Sequence, residues 1–440
     1  MKKRLLATLL SSTLVMTSLA GCSSKSENGD MVTELTKPIT IEMWHYMNGG
    51  QAEVLNEIIE DFNATNDKGI TVNAISQGSI VDLNKKVISA AQSNSLPAII
   101  NVYPDVATGL IEDKKLVNLS SFINDKNVGM ADEMDDFVDS FIQETSQWNN
   151  GEVYGLPMTK STEVLYVNKN MLESLGYTLE DLEDLTFEKL AEISNKAVTE
   201  LGVAGFGFDS SSNAFISSLK MDGLDFVDSK GTINVDNEWV REYMTFFQKQ
   251  AESGAFRIAG EDKFLSNPFV NQKMLCYQGS SAGYAYLNND GAFEIAVVEV
   301  PVFEGKDKAV MQQGASLFVT NNVSAEAQYA AYEFVKFATN AENTAKFATA
   351  TGYLPVRKSA IETEIVKNIL NDETSLYSQV YNVAQKSLPY AYYTPAINNA
   401  QSARTVAQEK YEAFMSGSIT DVEVLVDDIV SQVQTSIGRN

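Results

Sequence analysis

Along this chain short β-branched runs take turns with amphipathic helical stripes, and that alternation limits the fold more than any other feature. Ile39 to Trp44 alternates as a half-buried strand does, and Gln51 to Asn66 carries Val54, Leu55, Ile58, Ile59 and Phe62 at helical spacing. Ile70 to Ile75 reads as the next strand, and Val81 to Ser93 as a helix with Leu83, Val87, Ile88 and Ala91 on one face. Pro97 to Tyr103 is a short apolar run of the kind that fills a parallel sheet covered on both sides. Repeated β-α-β units predict an α/β fold of mostly parallel sheets flanked by helices. Ligands of such sheets sit beyond the carboxyl ends of the strands, which makes Trp44, His45, Gln77 and Tyr103 candidate ligand-facing residues.

The pattern continues through the middle of the chain. Gly155 to Met158 leads through the polar stretch Thr159-Lys160-Ser161-Thr162 into a strand over Val164 to Lys169, followed by a helix near Met171. Thr186, with Glu188, Lys189, Leu190 and Ala191 after it, opens an N-capped helix. Phe293 to Val302 and Ala315 to Thr320 read as further strands, and Ala325 to Ala338 as an amphipathic helix.

The amino terminus sets the compartment. Lys2, Lys3 and Arg4 precede an apolar run from Leu5 to about Ala20, too short to cross a bilayer and typical of a secretory leader. The run ends in Leu19-Ala20-Gly21-Cys22, which resembles the lipobox of bacterial lipoproteins. That resemblance implies removal of residues 1–21, lipidation of Cys22 and a polar tether over 22–37, holding the domain outside the cell membrane.

Composition removes several function classes. With 33 basic and 58 acidic residues, the formal charge is −25, and −28 once the leader's three cations are gone. Such a surface repels nucleic acid and anionic lipid. If Cys22 is lipidated, Cys276 stands alone and no disulfide is possible. His45 is the only histidine, so serine–histidine machinery and multi-histidine zinc sites have no support. The acidic run Asp132, Glu133, Asp135, Asp136 and Asp139 lacks the calcium-loop spacing and reads as a solvated helix face. An acidic chain always supplies carboxylate pairs, but no spacing here singles out a hydrolytic one. No catalysis, metal or cofactor is expected.

A series of short motifs then carries a resemblance. In order they are Met43-Trp44-His45, Asp61 to Asn66, Leu96-Pro97-Ala98-Ile99, Val102-Tyr103, Ser161-Thr162, and Val164-Leu165-Tyr166 with Asn168-Lys169. Ser280-Ser281, Gly314 to Leu317, Thr351 to Pro355, Leu388-Pro389 and Arg404 complete the set. The chain resembles family 1 extracellular solute-binding proteins of ABC importers along its mature length, and within them the glycerol-phosphate-binding branch.

The resemblance implies a two-lobe, periplasmic-binding-protein-like fold with hinge strands between the lobes and the ligand in the cleft. The first lobe would span 31–159 plus 297–337, and the second 160–296 plus 338–440. It also implies ligand contacts at Ser161, Ser280, the backbone of Gly314, Tyr353 and Arg404. Hydroxyl donors, backbone N–H groups and one planar guanidinium suit a phosphate. Ser210 to Asn213, read as a helix start facing the cleft, is a second candidate for an anion.

Plainer readings stand beside these. Trp44 and Tyr103 are also fit to be core aromatics, His45 a structural hydrogen-bond partner and Arg404 a surface ion-pair residue. Tyr390, Tyr392 and Tyr393 either wall the cleft or pack a loop. Two positions depart from the family pattern: Ile80 replaces a tyrosine, and a glutamate falls on Pro104 with Asp105 beside it. The expected ligand is therefore a glycerol-3-phosphate-like solute or a glycerophosphodiester, delivered to ABC permease subunits. A neutral sugar or oligosaccharide is the alternative ligand, and a sensory or adhesive lipoprotein the alternative role.

Overall fold

The computed structural model describes residues 31–372 and 374–438, so the leader and Cys22 lie outside the described residues. Twelve strands are present among them: β1 (Ile39–His45), β2 (Ile70–Ser76), β3 (Ile99–Val102), β4 (Gly155–Ser161), β5 (Glu163–Asn168), β6 (Phe206–Phe208), β7 (Phe256–Ile258), β8 (Cys276–Ser280), β9 (Ile295–Val298), β10 (Val310–Met311), β11 (Gln313–Val319) and β12 (Ala391–Tyr392). Two five-stranded sheets form, in the orders β2-β1-β3-β11-β4 and β7-β6-β8-β5-β9, with β10-β12 as a separate pair. The fold is the α/β two-lobe one the sequence predicts.

Side-chain alternation decides how each sheet is covered. In β1 the odd positions Ile41 and Met43 face a core shared with Leu55, Ile58, Ile59 and Phe62 of the helix Gly49–Thr65. The opposite face presents Ile100, Val102 and Phe318 to Leu83 and Val87 of the helix Ile80–Gln92. That helix starts in a reciprocal cap, with Ser79 accepting from the Asp82 N–H and Asp82 accepting from the Ser79 N–H. The second lobe is built on packed aromatic rings. Phe187 lies 4.6 Å from Phe303 and 5.3 Å from Phe247, ring centroid to centroid. Thr186 caps the helix Phe187–Lys196 as expected, accepting from the Lys189 N–H at 3.1 Å.

Three details differ from the sequence reading. Both sheets are mixed rather than mostly parallel. β1 pairs parallel with β2 and β3, but β11 runs antiparallel to both β3 and β4. β5 likewise runs antiparallel to β8 and β9. The physical reason is that β4, β5 and β11 carry the chain between lobes, so their direction is set by the crossing. The run Phe293 to Val302 keeps ladder pairing only over β9. The lobe boundary placed at 338 is also not where the packing puts it. Phe347, Tyr353, Leu354 and Val356 share the core of the first sheet, and the helix Ala341–Thr351 lies against the helix Gly49–Thr65.

Only Thr162 separates β4 in the first sheet from β5 in the second, and β11 crosses beside them. Gly314 sits at that crossing with φ +109°, and a Cβ built on it would fall 1.7 Å from the Thr159 carbonyl oxygen. The glycine is therefore needed for close approach of the two hinge strands. Gly314→Ala is expected to cost at least about 3 kcal/mol of stability, measured by urea unfolding.

Candidate ligand-binding cleft

The strand ends of the two sheets bring a set of polar side chains together between them. On the first-lobe side Tyr46, just past β1, has its hydroxyl 3.1 Å from Thr159 Oγ1 and 3.3 Å from the Tyr353 hydroxyl. Tyr103 stands at the start of the helix Pro104–Glu112, with Pro104 at its first turn and Asp105 next. Burial raises the Tyr103 phenol above its ordinary value, the Tyr46 ring adds to this, and Arg404 opposes it.

Where the first sheet passes into the second, a continuous chain of hydrogen bonds runs inward from the serines. Ser280 Oγ donates to Ser161 Oγ at 3.1 Å, and Ser161 Oγ donates to Gln313 Oε1 at 3.3 Å. Gln313 Nε2 lies 3.5 Å from Glu163 Oε1, which also accepts from Asn213 Nδ2 at 2.9 Å. Gln278 Nε2 donates to the other Glu163 oxygen at 3.0 Å. Asn213 turns its carbonyl oxygen to Arg404, which donates to it from Nη2. Arg404 lies on the helix Ala400–Met415, packed against the helix Ser211–Met221 that carries Asn213. Ser210 caps that second helix, as its sequence predicts.

Arg404 links the two sides. Burial raises the proton affinity of Tyr103 and Asp105 on one side and of Glu163 and Tyr392 on the other, and the Arg404 charge opposes it at all four. Among the described residues, Arg241, Arg257 and Arg357 all pair with carboxylates, whereas Arg404 has none within ion-pair distance. Asp105 faces it with no hydrogen-bond donor or cation in direct contact among the described residues, and burial pushes its carboxyl up to about 6, with Arg404 pulling the other way.

A carboxyl raised in this manner weakens the unliganded fold. In the unfolded chain it titrates at the ordinary 3.8, so between 3.8 and about 6 the folded chain holds the extra proton. Stability therefore falls as pH rises through that window, and the full penalty is present above it. Asp105→Asn is expected to stabilise the unliganded protein at pH near 7 by about 1–2 kcal/mol, allowing for partial solvent screening. Thermal unfolding as a function of pH should show that gain vanish below 3.8.

Not every residue singled out from the sequence joins the cluster. His45 is buried, its Nδ1 accepts the Met47 N–H at 3.1 Å, and burial lowers its ring to about 4, so it is a neutral part of its own turn. Trp44 gives its indole N–H to Glu42 at 2.5 Å. Its ring packs, as Tyr46, Ile80, Val106 and Ala396 do, against the apolar core built on Leu83, Val87, Ile100 and Phe318. Ile80 thus packs where the family pattern has a tyrosine. Gly314 lends its carbonyl oxygen to the buried Lys160 ammonium at 3.1 Å, a role the sequence did not suggest. Gln77 continues the strand-end turn, its N–H bonded to the His45 carbonyl. Tyr392 bonds Ser217 at 2.9 Å close to Arg404, and Tyr390 bonds Glu299 instead. The acidic run from Asp132 is not simply solvated, because Arg357 and Lys358 pair with Glu133, Asp136 and Asp139. Asn213 lies in the helix start that the sequence reading places at the cleft, whereas Glu163, Gln313 and Tyr46 are not foreseen by it. Their one prior signal was the position of Glu163 directly after Ser161-Thr162.

The chain belongs to the bacterial extracellular solute-binding protein family, whose model matches residues 57–372, and its two sheets joined by hinge strands with polar residues between them accord with that family. It is a substrate-binding component of ABC importers and not an enzyme. Its relatives include the sn-glycerol-3-phosphate-binding periplasmic protein UgpB of Rhizobium meliloti, 23% identical over 414 residues, covering 90% of this chain and 94% of the relative. The protein of the same name from Escherichia coli K12 is 23% identical over 401 residues, covering 88% and 90%. Among solved structures, UgpB from Mycobacterium tuberculosis in complex with glycerophosphocholine superposes with a TM-score of 0.78 at 21% identity, covering 92% of this chain and 99% of that one. A cyclic alpha-maltosyl-1,6-maltose binding protein from Arthrobacter globiformis reaches 0.76 at 18% identity, covering 92% and 100%. The fold is common to phosphate-ester and sugar binders, so ligand choice rests on the cleft residues.

Proposed function

We propose that the cleft captures a glycerol-3-phosphate-like solute or a glycerophosphodiester, which the protein hands to its permease. The observation that carries this reading is Arg404, a guanidinium between the lobes whose only side-chain partner among the described residues is a neutral amide oxygen. Its remaining N–H donors match two oxygens of a phosphate. Tyr103 and Tyr353 flank the anion from the first lobe, Ser280 lines the second, and Ser161 and the Gly314 backbone close the hinge side. Trp44 borders the cleft, while His45 acts only through its turn.

The surrounding charges refine the ligand class. Asp105 and Glu163 lie within electrostatic reach of Arg404, so a doubly charged monoester meets more repulsion than a diester or a zwitterion. The carboxylate of Asp105 also favours the second reading, a neutral sugar, because it is an acceptor for hydroxyl groups.

A thermal-shift panel of the mature chain tests the two. Glycerophosphocholine is expected to raise the melting temperature most, sn-glycerol 3-phosphate less and maltose not at all. A shift with maltose alone would transfer the site to sugars. The lipid anchor at Cys22 rests on the lipobox-like sequence, and Cys22→Ser is expected to move the protein from the membrane fraction to the soluble one.

A further inference from the structure

Glu163 opens β5 and is 2% exposed, deep enough that none of its oxygens faces solvent freely. A carboxylate has no hydrogen to give, so every amide around it must turn its nitrogen inward. Asn213 and Gln278, both buried, and Gln313 do so. The orientation of each amide then dictates what its other end shows. Asn213 presents Oδ1 to Arg404, and Gln313 presents Oε1 to Ser161. Turning Gln313 over would set oxygen against oxygen at Glu163.

The serines inherit this direction. Ser161 commits its hydrogen to Gln313 Oε1, and Ser280 commits its own to Ser161 Oγ while accepting the Ala282 N–H at 3.2 Å. Each hydroxyl is left with a lone pair and no hydrogen for the ligand. We propose that Glu163 is a positioning residue that sets the polarity of this relay, so that Ser161 and Ser280 accept from ligand hydroxyls while Arg404, and not the serines, supplies the side-chain donors to the anion on this side of the cleft. The inference rests on the phosphate-ester reading and goes beyond it by dividing the cleft into a hydroxyl-taking half and an anion-taking half. It reverses the role that the family resemblance suggests for the serines, which is donation to phosphate.

The test compares sn-glycerol 3-phosphate with propyl phosphate, which keeps the phosphate and lacks both hydroxyls. The full mature chain is expected to prefer the glycerol ester by about tenfold, the size of one good neutral hydrogen bond. In Glu163→Gln the amide can turn either way and the relay loses its direction. The preference should fall below about threefold while both esters still depend on Arg404. Equal weakening of both esters, with the preference intact, would make Glu163 a structural residue only and overturn the proposal. If Glu163→Gln does not fold, Gln313→Met cuts the same relay and is expected to compress the preference equally; an unchanged preference there overturns it too. Failure of the unaltered chain to bind either ester would instead reject the phosphate reading itself, before any variant is made.

Discussion

Arg404→Ala lowers affinity for glycerophosphocholine about 100-fold in a calorimetric titration, near 3 kcal/mol, if the cleft works as described. The size follows from the loss of a charge-assisted, two-pronged contact in a site shielded from solvent. Arg404→Lys keeps the charge and loses the fork, so about a tenfold loss is expected there. The fold should tolerate both changes, because the side chain is only half-buried and its one side-chain partner among the described residues is Asn213. Equal affinity of all three proteins would show that the arginine belongs to the surface of the second lobe and not to the ligand.

The second large effect is on the hinge. Lys160 is 0% exposed and places its ammonium between the Glu144 carboxylate and the Gly314 carbonyl, under the crossing of β4 and β11. Glu144 accepts a further bond from Gln312 Nε2 at 2.8 Å. Lys160→Met removes the cation and leaves a buried carboxylate with one neutral donor, which should destabilise the protein by about 3–5 kcal/mol in urea unfolding. Replacing both partners, Lys160→Met with Glu144→Leu, removes the unpaired charge as well. That double variant is expected to regain most of the loss, since an ion pair out of water contributes little net stability beyond matched apolar packing. If the double variant is as unstable as the single one, the pair is not energetically coupled and the hinge is held by its backbone alone.

How much of this was legible beforehand depends on how local each signal is. The strand–helix alternation and the caps at Thr186 and Ser210 are local and read correctly from spacing, whereas the polar stretch Thr159 to Ser161 is marked as a hinge only through the family resemblance. The sheets' mixed direction is not local, since it depends on which distant strands β4, β5 and β11 pair with after the crossings. The association of Phe347 and Leu354 with the first sheet was hidden for the same reason. Within the cleft, Arg404, Tyr353 and the two serines stood out only through an ordered family pattern. Glu163 and Gln313 did not, because a chain with 58 acidic residues offers carboxylates everywhere, while Asn213 is marked only by its helix start. Glu163 gains its meaning from amides 50, 115 and 150 residues away. His45 shows the opposite failure. It was conspicuous as the only histidine, yet the turn it completes uses its ring nitrogen for the backbone.

The measurement that bears most directly on the central claim is a ³¹P NMR titration of glycerophosphocholine with the mature chain. The account predicts a saturable change in the phosphorus resonance at one equivalent, unaffected by excess maltose and absent with Arg404→Ala. A phosphorus signal that stays unchanged, or one that changes equally with the Arg404→Ala protein, would contradict it.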